Sequence, residues 1–259
     1  MQIRTRWFTR LVVFSTALVL PLISFHLALA TPITNLDDLN YWGTGANRSA
    51  IVIDWNDGKS TTSFAWGYQW DTAPVLSDVL ATLAGSNIGL FLRWDSQTPF
   101  GPGLFGIGQQ NSAAAFGVSG AQDASGNPVV PVFTAGVDDM NVSAATFDPP
   151  LSSAGTAPVN AVDFYQEGWN DNGFWGAYFA GTNNFSTETS FAAPTNWIDS
   201  FVGIGSVTLT NEGWYGFSFA SGFAGSNPRD AVAVVPEPGV TLLVLMGGII
   251  LLGLKRFRK

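Results

Sequence analysis

The stretch AIVIDWNDGKSTTSFAWGYQW, Ala50 to Trp70, reads as two β-strands joined by a turn. Ala50–Trp55 is a short run rich in β-branched residues. Asn56-Asp57-Gly58-Lys59 then places an Asp-Gly pair where a turn needs positive φ. Ser60–Trp70 alternates, so Phe64, Trp66, Tyr68 and Trp70 fall on one face of a strand. Together these features predict a hairpin that carries an aromatic ladder into a core.

Outward from this hairpin, the pattern stays mostly β. Residues 31–49 read as a leading loop. Pro74–Ala84 has apolar residues at helical spacing (Val75, Leu76, Val79, Leu80, Leu83), with Asp71 or Thr72 as the expected cap and Gly85 as the stop. Ile88–Trp94 reads as a strand, and residues 95–128 as long loops with short strands. Pro131 makes Val129–Ala135 an edge strand. Val159–Glu167 and Phe174–Ala180 flank a turn at 168–173 and read as a second aromatic hairpin. Asn196–Val202 is expected to form a helical turn, and Ser206–Leu209 and Trp214–Ala220 the closing strands. The expected fold is one mainly β, antiparallel, sandwich-like domain over residues 31–220, with one or two short helices. Residues 221–235 read as a linker.

Both ends have a different character. The start carries Arg4, Arg6 and Arg10, an apolar stretch from Leu11 to Phe25, and Ala28-Leu29-Ala30. This is the pattern of a secretory signal peptide over residues 1–30, cut between Ala30 and Thr31 by signal peptidase after Sec export. At the other end, Pro236-Glu237-Pro238 precedes sixteen uncharged residues, Gly239–Leu254, and a basic cluster of Lys255, Arg256, Arg258 and Lys259. As a helix the uncharged run spans about 24 Å, short against a bilayer core of about 30 Å. The basic end favours a cytoplasmic C-terminus.

The order of triplet, span and basic end over residues 236–259 resembles the PEP-CTERM sorting signal of exported bacterial proteins. The resemblance implies processing near Pro236–Pro238 by an exosortase-type membrane enzyme. It also implies a membrane-anchored intermediate that ends at the cell surface or in an extracellular matrix, a setting associated with exopolysaccharide. IDWNDGKSTTSFAWGYQWD with the later NEGWYGFSFA is similar to a family of exported bacterial proteins, and that likeness carries no catalytic residue over.

Composition narrows the chemistry of the body. Between Thr31 and Val235, four cations (Arg48, Lys59, Arg93, Arg229) stand against eighteen Asp and Glu, a net of −14. A basic patch for nucleic acid is missing, and anionic membrane surfaces should repel such a body. The chain has no Cys, and its one His, His26, lies in the signal. Ser-His-Asp and Cys-His catalysis and His or thiolate metal sites are therefore excluded from the body.

Carboxylates, hydroxyls and aromatics remain. Gly101-Pro102-Gly103-Leu104-Phe105-Gly106 matches G-x-G-x-x-G but has Pro102 in the turn and loop-like flanks, so it reads as a glycine loop. The acid-rich turns at Asp54–Gly58, Asp138–Asn141 and Asn170–Asn172 lack the EF-hand spacing, so no cofactor is expected beyond, at most, a structural calcium. No catalytic residue is assigned. The preferred role is that of an exported matrix protein whose body binds glycan or is structural, with Trp169 and Trp175 stacking on sugar rings beside Asn170 and Asp171. The alternatives are a carboxylate-dependent glycan hydrolase and a protein-binding surface module.

Overall fold

Residues 32–98, 101–123, 126–140, 156–168, 173–220 and 225–234 are described in a computed structural model. The expected signal peptide (1–30) and the expected sorting segment (236–259) lie outside them. The chain is mainly β. Its strands are β1 (Tyr41–Gly43), β2 (Asn47–Asp54), β3 (Ser63–Trp70), β4 (Leu90–Asp95), β5 (Gly103–Gln109), β6 (Val118–Ser119), β7 (Val137–Asp139), β8 (Ala157–Pro158), β9 (Phe164–Glu167), β10 (Phe174–Ala180), β11 (Trp197–Asp199), β12 (Trp214–Ala220) and β13 (Ala231–Ala233). One α-helix, α1 (Leu76–Gly85), lies between β3 and β4. Among the described residues, no helix is long and apolar enough to cross a membrane.

The large sheet runs β1-β3-β2-β12-β10-β11, and β13 extends the β3 edge beside β1. The small sheet runs β7-β4-β5-β9, and β6 pairs with β8. The expected hairpin is present: β2 and β3 pair antiparallel from Asn47↔Trp70 to Ile53↔Phe64. Its connection is longer than a tight turn, and Asn56 and Gly58 hold φ of 46° and 78°. The sheets are not uniformly antiparallel, however. β12 runs parallel to β2, and β1 and β13 run parallel to β3. The cause lies in β2, where Ala50, Ile51, Val52, Ile53 and Asp54 are all buried. An apolar run without alternation needs cover on both faces and a partner on both sides, and β12 supplies the second side.

The inner face of the large sheet carries Ile51, Ile53, Trp66, Trp70, Trp175, Phe179, Tyr215, Phe217 and Phe219. They share one core with Leu90, Leu92, Leu104, Ile107 and Phe164 of the small sheet and with Leu76, Val79, Leu80 and Leu83 of α1. The predicted ladder Phe64, Trp66, Tyr68 and Trp70 packs on this core as a set. On the outer face, Ala50, Val52, Ala65, Ala180 and Trp214 are covered by Ile33, Leu36 and Leu39. The leading segment is thus a lid on the sheet rather than a free loop.

Several local expectations are corrected. Helix α1 starts at Leu76 with Val75 as N-cap and no side-chain cap bond. Asp71 instead accepts from the Ala46 N–H, and Leu76 N–H donates to Val207 C=O at 2.8 Å, which satisfies the first N–H of the helix. The glycine-rich 101–106 stretch runs into β5, which pairs with β4 and β9. A Cβ at Gly106 would lie 2.5 Å from the Tyr165 Oη, and one at Gly108 2.3 Å from the Phe116 Cζ. Those glycines leave room for rings that cross the strand. The second hairpin does not form. β9 pairs with β5 and β10 with β12, so the two strands belong to different sheets. Val129–Ala135 yields its edge position to β7, and residues 196–202 contain strand β11 rather than a helical turn. Within the expected linker, residues 225–234 dock on the domain through β13.

Replacing Gly108 with Ala should force the Phe116 ring, stacked 4.1 Å from Phe91, out of place. The expected cost is about 1–3 kcal/mol. It should appear as a fall of several degrees in the thermal midpoint, whereas Gly58→Ala meets no neighbour within 4 Å and tests only the backbone effect of positive φ.

Candidate functional site

Of the residues expected to contact glycan, Trp169, Asn170 and Asp171 lie outside the described residues. So do Ala28, Ala30, Thr31, the Pro236-Glu237-Pro238 triplet and the Lys255, Arg256, Arg258, Lys259 cluster. Trp175 is described, and it is core. It is 4% exposed, its Nε1–H donates to Gln166 C=O at 3.1 Å, and its ring meets those of Trp55 and Phe219 edge to face. It offers no free face to a sugar. Trp55, Trp66, Trp70 and Trp214 are likewise buried.

Open aromatic surface occurs elsewhere. Phe185 and Phe201 are 66% and 69% exposed, and their rings meet edge to face at 6.1 Å. Asn183 Oδ1 accepts from Phe185 N–H at 3.0 Å, and Phe201 N–H donates to Asn184 C=O at 3.0 Å. Phe185 therefore stands on a short polar loop rich in amides and hydroxyls, Thr182-Asn183-Asn184-Phe185-Ser186, to which the segment carrying Phe201 is tied. Sequence reasoning missed it because neither Phe lies in an alternating strand.

Two charged assemblies tie distant segments together. Arg93 is 2% exposed in the middle of β4. Its guanidinium bonds Asp138 Oδ2 at 3.0 Å, Glu167 Oε1, and the Gln122 carbonyl. Tyr165 Oη donates to Glu167 Oε2 at 2.6 Å. Burial pushes the Glu167 carboxyl up, and Arg93 and Tyr165 offset that only in part. Burial also drives the Tyr165 phenol well above its ordinary value. A cation inside the apolar run Leu90-Phe91-Leu92-Arg93-Trp94 was the available sequence signal.

The second assembly is Asp54 with Arg229. Asp54 is 1% exposed. It takes a forked pair of bonds from the Arg229 guanidinium, at 2.8 Å and 2.5 Å, and one from the Arg229 backbone N–H at 3.0 Å. The Asn56 N–H adds a fourth at 2.9 Å. Burial pushes this carboxyl up, but the Arg229 and Asn56 bonds outweigh it and hold it below the usual range.

A cleft of about 130 Å³ opens beside Arg229, lined by Pro194, Thr195, Trp197, Pro228 and Asp230 and floored by Val52 and Trp214. Among the described residues, no three His, Cys, Asp or Glu side chains gather as a metal ion would need. Asp54 and Asp138, from two of the acid-rich turns, are already bonded to arginines. No family model, no curated protein and no solved structure matches this chain.

Two outcomes follow from these assemblies. Arg93→Met should leave Glu167 and Asp138 without their cation and cost about 3–5 kcal/mol in denaturant unfolding. The Asp54 carboxyl is depressed in the folded state, so its contribution is complete above its unfolded value of about 3.9 and is lost as pH falls through the lower folded value. The protection factors of the Ser63 and Val234 amides, measured against intrinsic exchange at each pH, should therefore fall below about pH 4, and Asp54→Asn should remove that acid dependence.

Proposed function

We propose that this is an exported cell-surface or matrix protein, processed at Pro236-Glu237-Pro238 by an exosortase-type enzyme, whose body binds or structures extracellular polysaccharide without catalysis. The observation that carries the reading is the order of triplet, uncharged span and basic end, with a secretory signal at the opposite terminus. We read the two sheets that share a core as a sandwich-like frame for that body.

The electrostatics of the body support a binding or structural role. Each of its four cations is within ion-pair distance of a carboxylate: Arg48 with Asp37, Lys59 with Asp57, Arg93 with Asp138 and Glu167, Arg229 with Asp54. The remaining acids make the surface anionic, which suits a neutral polysaccharide better than a polyuronate. Phe185 and Phe201 are the exposed rings on which a sugar face would lie, with the Asn183 and Asn184 amides beside them.

Replacing Pro236-Glu237-Pro238 with alanines should trap the full chain in the membrane fraction and abolish the released body. Unchanged release would sink the sorting reading. The released body should sediment with the host's neutral extracellular polysaccharide and generate no new reducing ends. The double replacement Phe185→Ala, Phe201→Ala should weaken that binding roughly tenfold, or 1.4 kcal/mol. New reducing ends would overturn the non-enzymatic reading.

A further inference from the structure

The chain from Gly225 to Val234 crosses the outer face of the large sheet strand by strand. Ser226 N–H donates to Tyr178 Oη of β10 at 2.7 Å. Pro228, which is buried, sits over Gly216 of β12, where a Cβ would come within 2.7 Å of the proline ring. Arg229 then grips Asp54 of β2 and gives its Nη1–H to Ser60 C=O at 2.8 Å. Asp230 C=O accepts from Ser63 N–H of β3 at 3.0 Å, and β13 runs on beside β3. The last described residue is held at both polar atoms: Val234 N–H donates to Ala65 C=O at 3.2 Å, and its carbonyl accepts from Asn40 Nδ2 at 2.7 Å.

We propose that residues 225–234 form a strap, closed by the Arg229–Asp54 clamp, that confines processing to the C-terminal side of Val234 and is kept by the product. The proposal rests on the sorting reading above. A peptide bond enters a protease only when its flanking backbone is extended and free, and backbone held in a sheet ladder must first unzip. The strap reaches at least to Val234, and the uncharged run begins at Gly239. The four residues between them reach at most about 13–14 Å. On the sorting reading the folded body is therefore held close to the membrane, and the residues that the sequence leaves between strap and span are Val235 and the triplet. The same nearness sets an acidic body against the membrane surface, so cutting there also relieves repulsion.

Two measurements separate this proposal from the reading beneath it. Limited proteolysis of the full chain in detergent with a nonspecific protease tests the strap alone. Protection of 225–234 with first nicks at 235–238 is expected, and first nicks inside 225–233 would overturn it. The intact mass of the protein released by cells then fixes its C-terminus. An end between Val235 and Pro238 supports the strap, and an end at or before Ala233 overturns it. Asp54→Asn should open 225–234 to the protease at least about tenfold faster, while thermal unfolding shows whether the body stays folded. Protection that is unchanged in a folded Asp54→Asn protein would remove the clamp from the proposal. The alanine replacement of the triplet reports on the sorting reading independently.

Discussion

The indole of Trp55 joins the two sheets, and much of the architecture depends on that join. It leaves β2 at the turn and packs among Phe64, Trp66, Phe164 and Trp175, with ring centroids 5.5–6.4 Å away. Its Nε1–H donates to Ile107 C=O of β5 at 2.8 Å. One side chain at the end of β2 thus meets β3, β9, β10 and the middle of the small sheet. Aromatic packing of this kind supplies large apolar area together with a directional bond, which suits a domain with no disulfide.

The four cations complement this packing by tying loops and strands together. Arg48 holds the leading segment through Asp37. Lys59 reaches from the hairpin turn to Asp163 C=O at 2.7 Å, ahead of β9. Arg93 gathers β4, β7, β9 and the loop at Gln122. Arg229 closes the strap on β2. In a body so short of positive charge, each cation joins segments distant in sequence. Buried pairs of this type add less to net stability than their removal would cost, so they fix the arrangement of loops more than they drive folding.

The first hairpin, its ladder and Trp214–Ala220 were legible because alternation and β-branched runs report local geometry directly. What escaped was set by partners far away. Glycines in β5 mimic a loop until Tyr165 and Phe116 are seen to occupy the space above them. Phe164–Glu167 and Phe174–Ala180 look like hairpin arms because sequence shows the strands but not that each belongs to a different sheet. Trp175 looked available because an indole beside a polar turn has the same letters whether it faces a sugar or Trp55. Arg229 sat in a Gly/Ser/Pro segment that composition marks as linker, although the scarcity of cations was a hint that it had a carboxylate to meet.

The parallel pairing of β2 with β12 has a consequence for the order of events in folding. Ala50 and Trp214 are register partners 164 residues apart. The most buried strand thus gains its second neighbour only after almost the whole body has been made. Local pairs such as β2–β3 and β4–β5 close short loops, whereas β2–β12 closes a long one, and non-local pairing of that kind slows folding. A chain made from its N-terminus would keep its central strand open on one side until β12 was made.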